Sequence, residues 1–278
     1  MHNSGPVKKN IITPDKAWWM PPLTEVWEKR ELFSMFVRRQ FLVRYKQSIL
    51  GVLWSVLTPL GTLFVFWLLF GLVLKVPSDG YPYVLFAFAG LTPWNIFNSS
   101  AMSTASSLQE QMGIVSKVYF PRIMLPFVTL TREFLDASIA MLLVIMFFAL
   151  HGYLPTWRFL LLPVVLGAAL FSGLAVGLAF AGPIVRFRDL RVPLNYVLQL
   201  AMYITPVIYP PTVIPEAYRW IIELNPMYWV IQVSRWCLLG QSFAVSGLLY
   251  GCLCFMVFML LIGWLLFAYT ERRIVDVQ

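Results

Sequence analysis

The sequence predicts an all-α integral membrane protein. It has six transmembrane helices, an N-terminal amphipathic interfacial helix, and an outer re-entrant helical hairpin before the last span. Three observations predict it. Only 12% of the 278 residues are charged, 59% are apolar, and mean hydropathy is +0.74, whereas a soluble domain carries about 25% charged residues. The charges are also clustered, leaving 47–74, 80–109, 137–157, 159–185, 192–215 and 236–270 without Asp, Glu, Lys or Arg. Each stretch reaches the roughly 20 residues that cross ~30 Å of hydrocarbon as a helix. Finally, the basic residues alternate from side to side between those stretches.

That alternation orients the chain. Nine cations precede the first span: Lys8, Lys9, Lys16, Lys29, Arg30, Arg38, Arg39, Arg44 and Lys46. Lys117 and Arg122 separate spans 2 and 3, Arg186, Arg188 and Arg191 separate spans 4 and 5, and Arg272 and Arg273 lie in the tail. The opposite loops hold only Lys75, Arg158, Arg219 and Arg235, with Arg132 at the start of span 3. Lys and Arg accumulate on the cytoplasmic side, so both termini are expected there. The net charge of +8 is then a topology signal suited to anionic headgroups, and no nucleic-acid partner is needed to explain it.

Taken in order, residues 1–25 read as a polar, proline-bearing cytoplasmic tail without a cleaved leader. Residues 26–46 read as the amphipathic helix. Leu32, Phe33, Phe36, Val37 and Val43 gather on one side, and Glu28, Glu31, Ser34, Arg38, Arg39 and Lys46 gather opposite. Such a helix lies in the interface plane. The six-span domain covers 47–270, followed by a cytoplasmic tail at 271–278.

Span 1, about Ile49–Leu74, contains Pro59, which removes a backbone hydrogen bond and bends a membrane helix. Val76–Pro82 is a short outer turn. Span 2, about Tyr83–Ser107, changes character halfway: Asn95, Ser99, Ser103 and Ser106 form one helical stripe. In lipid that stripe must face protein or water, either as a helix contact or as a pathway lining. Gln109–Arg122 is a mixed cytoplasmic segment suited to docking a separate protein. Arg132 and Asp136, at i and i+4, are expected to pair, with Glu133 between them. Charges at such a depth otherwise mark a pathway.

Span 4, about Phe159–Gly182, is rich in Gly and Ala and invites close helix contact. Span 5, about Pro193–Tyr209, ends at Pro206, Pro210, Pro211 and Pro215, a density no continuous helix survives. Residues 212–243 carry Tyr218, Trp220, Ile221, Ile222, Leu224, Tyr228, Trp229 and Trp236. An exposed loop of that composition would be a large apolar patch. Two short helices joined at Asn225–Met227 and dipping into the membrane satisfy it better. Span 6 covers about Val245–Tyr269.

Catalytic chemistry is sparse. There is no phosphate loop, and none of the seven lysines follows a glycine; HExxH, CxxC and GxSxG are absent. His2 and His151 are the only histidines, and Cys237, Cys252 and Cys254 read as buried thiols, so no metal site or disulfide framework is expected. Glu216 and Glu223 read as polar anchors. The expectation is a conduit driven from elsewhere, with no catalytic residue of its own.

Four stretches carry a family resemblance: "RYKQSILGVLWSVLTPL" (44–60), "KVYFPR" (117–122), "FRDL" with "LQLAMYITPVIYP" (187–190, 198–210), and "LNPM" with Arg235 (224–227, 235). With these in this order, the chain resembles the membrane permease subunit of ABC type-2 exporters. It is most similar to the branch that exports bacterial polysaccharides such as O-antigen, capsule and teichoic acid, and the likeness covers about 25–270. The resemblance implies a homodimer in the bacterial inner membrane, two copies of a separate ATPase that bind ATP and Mg, and a lipid-linked glycan as cargo.

It further implies an ATPase-coupling segment within 109–122, carried by Gln111, Met112, Gly113, Ile114, Val115, Lys117, Val118 and Tyr119. Arg38, Arg39, Arg44 and Lys46 would line the interfacial entrance. Spans 1 and 5 would line the path, with Trp54, Trp67, Tyr196 and Tyr203 packing against pyranose faces. The re-entrant segment 210–243 would be the outer gate, with Tyr209, Pro210, Trp220, Asn225, Pro226 and Trp229. An exporter of a small amphiphile or drug is the alternative within this fold. An integral-membrane glycosyltransferase or acyltransferase is the alternative of another class, and a proton-coupled carrier would need more mid-membrane carboxylates.

Overall fold

The computed structural model describes residues 23–46, 53–111, 113, 120–153, 156–241 and 247–275. The described residues are mostly helical, with no strand among them. In chain order they form α1 (Leu23–Glu28), α2 (Arg30–Lys46), α3 (Leu53–Phe66), α4 (Tyr83–Glu110), α5 (Met124–Leu150), α6 (Leu162–Arg186), α7 (Arg191–Ile204), α8 (Glu216–Glu223), α9 (Pro226–Leu239) and α10 (Gly247–Val275).

Among the described residues, four helical segments are long and apolar enough to cross a membrane: Leu53–Val73, Met124–Leu150, Trp157–Arg186 and Leu249–Thr270. The expected second and fifth spans correspond to α4 and α7. The second half of α4 is rich in Ser, Thr and Asn, and α7 has only 14 residues.

Helix α6 sits at the centre, packed against α4 on one side and α10 on the other. The Gly-rich pattern is what permits this. A Cβ at Gly173 would strike the Phe97 carbonyl oxygen and lie 2.7 Å from Ser100 Cβ; one at Gly177 would strike Thr104 and lie 2.8 Å from the Ala101 carbonyl. Across the other face, Gly263 of α10 would place a Cβ 2.5 Å from the Ala175 carbonyl. Small residues at i and i+4 let backbones approach within reach of such contacts. Ser100 Oγ then donates to the Leu170 carbonyl at 2.8 Å, deep between the two helices. Helices α5 and α9 pack on α4, whereas α3 and α7 lie at the periphery.

Several boundaries differ from the sequence expectation. The amphipathic helix is broken at Lys29 into α1 and α2. Phe36 is buried, Leu32, Phe33 and Val37 are half-buried, and Arg38 and Arg39 are exposed, as the polarity pattern requires. The α3 helix does not run to Leu74 as an α-helix: Trp67–Val73 is a π-helical turn, with Leu74 N–H donating to the Leu69 carbonyl at 2.9 Å. Gly71 at this turn faces the Tyr83 ring, 2.9 Å from where its Cβ would stand. Such wide turns accommodate a local packing demand, and apolar periodicity carries no sign of them.

Helix α5 begins at Met124, so Arg132, Glu133 and Asp136 lie more than two turns inside it, not at its start. Charge-free length underestimated this helix because it contains the charges the rule uses as boundaries. Cys237 and Cys252 are buried as expected, but Cys254 is exposed: it lies on the outward face of α10, two residues beyond Cys252.

Proline inside α4 has a specific consequence. Pro93 has no N–H to offer the Ala89 carbonyl four residues earlier. Ser234 Oγ of α9 donates to that carbonyl at 2.8 Å instead. A helix defect is thereby turned into a tertiary link.

Candidate functional site: a polar cavity between α3, α4 and α5

A cavity of about 480 Å³ opens between α3, α4 and α5. From α3 come Trp54, Ser55, Thr58, Pro59 and Thr62; from α4 come Thr92, Asn95, Asn98, Ser99, Ser103 and Glu110, with Ile96 and Met102. From α5 come Arg132, Glu133, Asp136, Ala137 and Ala140, and Arg191 closes one side from the start of α7. So many hydroxyls, amides and charges converging between helices otherwise built of Leu, Val and Phe constitute a functional-site hypothesis by chemistry alone.

The direct hydrogen-bond partner of Arg132 is Glu133, the residue between it and the expected Asp136. Arg132 Nη2 donates to Glu133 Oε1 at 2.7 Å, and Ser99 Oγ donates to Glu133 Oε2 at 2.6 Å. Glu133 is 3% exposed, so its charge is tolerated only because it is paired and bonded on both oxygens. Asp136 Oδ1 accepts from Ser55 Oγ of α3 at 2.9 Å. Residues one turn apart share a face, but here the neighbouring helices determine which carboxylate meets the guanidinium. At the cavity's edge Arg191 lies 3.9 Å from Glu110, tying the start of α7 to the end of α4.

Three of the four stripe residues, Asn95, Ser99 and Ser103, line the cavity. Ser106 turns into the protein and is fully buried. Sequence reasoning missed Thr92 and Asn98, and it missed the facing stripe Ser55, Thr58 and Thr62 on α3. That second stripe stands at i, i+3 and i+7 in an otherwise apolar helix, the same signal that identified the first.

The expected site residues separate into groups. Trp54 lines the cavity and is 54% exposed. Trp67 belongs to the π turn, 6.0 Å from Phe64 ring to ring, away from the cavity. Tyr196 and Tyr203 are exposed on α7 and do not reach it. Arg38 and Arg39 are exposed on α2, while the side chains of Arg44 and Lys46 lie outside those described. Of the coupling segment, Gln111 is half-buried and Gly113 exposed; Met112, Ile114, Val115, Lys117, Val118 and Tyr119 lie outside the described residues. At the segment's far end Phe120 is buried against Phe36 of α2, ring centroids 5.1 Å apart.

The proline-rich break and helices α8 and α9 form a second constellation. α8 and α9 meet at Asn225, which caps α9 by accepting from Met227 N–H at 3.0 Å, and its Nδ2 donates to Thr205 Oγ1 at 2.7 Å. Tyr209 Oη donates to the Tyr203 carbonyl at 3.0 Å, covering the open end of α7.

Pro210 is buried, Pro226 half-buried, and Trp229 is buried with its indole N–H on the Glu223 carbonyl at 2.8 Å. Trp220 is exposed on α8. Glu216, expected as a polar anchor, is exposed and lies 3.5 Å from Arg219 within α8.

Arg235, counted from the sequence among the outer-loop cations, is fully buried. Its Nη2 donates to the Val207 carbonyl at 2.7 Å, and its guanidinium carbon lies 3.8 Å from the Phe86 ring centroid. It pins the break after α7 to α9 and α4. Tyr83 Oη adds a parallel link to the Ile208 carbonyl at 2.9 Å.

Residues 31–239 match the family model described as ABC-2 type transporter. The chain belongs to the ABC-2 type transporter family. This transporter chain is 33% identical over 205 residues to the O-antigen export system permease protein RfbA of Myxococcus xanthus, covering 73% of this chain and 78% of that relative. It is 31% identical over 199 residues to RfbA of Klebsiella pneumoniae, covering 71% and 76%. It is 23% identical over 213 residues to the polysialic acid transport protein KpsM of Escherichia coli, covering 75% and 81%. The matched region spans the cavity, the proline-rich break and Arg235, and it ends where α9 ends.

Proposed function

We propose that the chain is the membrane-spanning permease subunit of an ATP-driven exporter that moves a lipid-linked polysaccharide across the bacterial inner membrane. The observation that carries the reading is its 33% identity, over most of both chains, to a permease named for O-antigen export. The cavity adds chemical support. Its hydroxyls, amides and one accessible indole, set among apolar side chains, suit a sugar ring with its hydroxyls and apolar C–H face.

In this reading the six spans are α3 with its π turn, α4, α5, α6, α7 and α10, both termini are cytoplasmic, and α8–α9 form the re-entrant outer gate. Two copies of the chain work with two copies of a separate ATPase, which holds the ATP and Mg. Peripheral α3, only 6% buried across its apolar window, and the exposed Tyr196 and Tyr203 face of α7 supply surfaces for a second copy along the path. Segment 109–122 receives motion from the ATPase, and the Phe36–Phe120 contact transmits it to α2. Arg38, Arg39, Arg44 and Lys46 gather at the entrance.

Deletion of the gene is expected to strand undecaprenyl-linked glycan on the cytoplasmic side and to strip the surface of that glycan, read by surface labelling. Normal surface glycan in a deletion strain without a redundant permease refutes the export reading. Replacing Gly113–Tyr119 with a flexible linker is expected to preserve membrane insertion while abolishing stimulation of the ATPase by the permease. Unchanged transport by that variant removes the coupling role from the segment.

A further inference from the structure

We propose that the cavity between α3, α4 and α5 is a saccharide-binding subsite within one subunit, and that it takes uncharged sugar residues in preference to acidic ones. The proposal rests on the polysaccharide-export reading and adds the class of sugar. A pyranose presents hydroxyls that both donate and accept, with an apolar C–H face. The cavity offers the complement: the Asn95 and Asn98 amides, the Ser103 hydroxyl, and the exposed Trp54 indole as a stacking platform. Its 480 Å³ falls within the ~300–1,000 Å³ of small-molecule sites.

The charge pattern sets the preference. Among the described residues the wall carries three carboxylates, Glu110, Glu133 and Asp136, and two guanidiniums, Arg132 and Arg191. Both guanidiniums are already turned to carboxylates of the wall, Arg132 at 2.7 Å from Glu133 and Arg191 at 3.9 Å from Glu110. A sugar carboxylate entering here meets like charge, and recruiting either arginine strips a partner from a wall carboxylate. For Glu133, which is 3% exposed, losing that partner leaves a buried charge exposed to its full desolvation cost. Sugar hydroxyls face no such conflict, because they donate well to carboxylate oxygens.

The test uses the full chain with its ATPase in nanodiscs and two probes of equal length, neutral mannohexaose and a sialic acid hexamer, read by saturation-transfer NMR with titration. The neutral probe is expected to bind at least about tenfold more tightly than the acidic one. Trp54→Ala and Ser103→Leu are expected to weaken it about tenfold while the complex elutes as before, and Asp136→Asn is expected to narrow the neutral-to-acidic ratio. The proposal is overturned if neither probe binds, if the sialic acid hexamer binds as tightly as mannohexaose, or if both cavity variants retain full affinity. The deletion strain separates the two claims. Lost surface glycan together with unaltered probe binding in the cavity variants removes the subsite and leaves export standing; intact surface glycan removes export whatever the probes do.

Discussion

Gly177→Ala is expected to destabilise the protein by about 2–3 kcal/mol, although alanine is the better helix former by ~1 kcal/mol. The added methyl would overlap Thr104 of α4 and stand 2.8 Å from the Ala101 carbonyl. Backbone and β-branched atoms cannot swing away, so α4 and α6 must separate along their shared face. That face also carries the Ser100–Leu170 bond and supports the wall from which Asn95, Ser99 and Ser103 look into the cavity. Gly167 in the same helix has nothing within 4 Å of its would-be Cβ. Gly167→Ala is therefore expected to leave the melting temperature unchanged or raise it. Thermal unfolding of the two variants in detergent, followed by tryptophan fluorescence, provides the comparison. Equal melting behaviour would remove the tight α4–α6 seam from the account.

Arg235→Ala is the second large effect, with an expected loss of about 2–5 kcal/mol. Three things go together when the side chain is removed: the bond to the Val207 carbonyl, the guanidinium packed on Phe86, and the volume beneath α9. The Val207 carbonyl is buried, and nothing replaces its donor. Gly90 is part of the same arrangement, since a Cβ there would strike that carbonyl and lie 3.1 Å from Nη2 of Arg235. Arg235→Met keeps volume but not the donor, and Arg235→Lys keeps a donor but not the planar fork. Both are expected to fall between native and alanine in melting temperature. Loosening at 205–210 should also show as faster proteolysis there than in α6. An alanine variant as stable and as protease-resistant as the native protein would mean that the break after α7 is held by Tyr83, Asn225 and Tyr209 alone.

The two effects differ in how far they were legible beforehand. The seam was readable because Gly173 and Gly177 recur at helical spacing inside an apolar run, and period is a local property of sequence. The role of Arg235 was not: placed among outer-loop cations, it turned out to be the largest fully buried side chain among the described residues. The Arg132–Asp136 expectation was incomplete for a related reason. Helical spacing brings those two residues to one face, but Ser55 from α3 takes an Asp136 oxygen, and Glu133, facing Ser99 across α4, takes the guanidinium. Trp54, Trp67, Tyr196 and Tyr203 were grouped as one class of path aromatics, and only Trp54 joins the cavity within a single chain.

By itself the sequence determined the helical class, the charge-free segments, the amphipathic α2, the proline-rich break, the Asn225 junction and the polar stripe on α4. All of these follow from composition, period and turn chemistry acting over a few residues. Only the tertiary structure decided that Ser55 meets Asp136 across 81 positions and Ser99 meets Glu133 across 34. It also decided that Ser234 repairs the carbonyl freed by Pro93, and that α3 turns to a π-helix beside Tyr83. The physical reason is common to them. Between packed helices each buried polar group must find a partner, and close packing around Gly173, Gly177 and Gly90 fixes which groups are within reach.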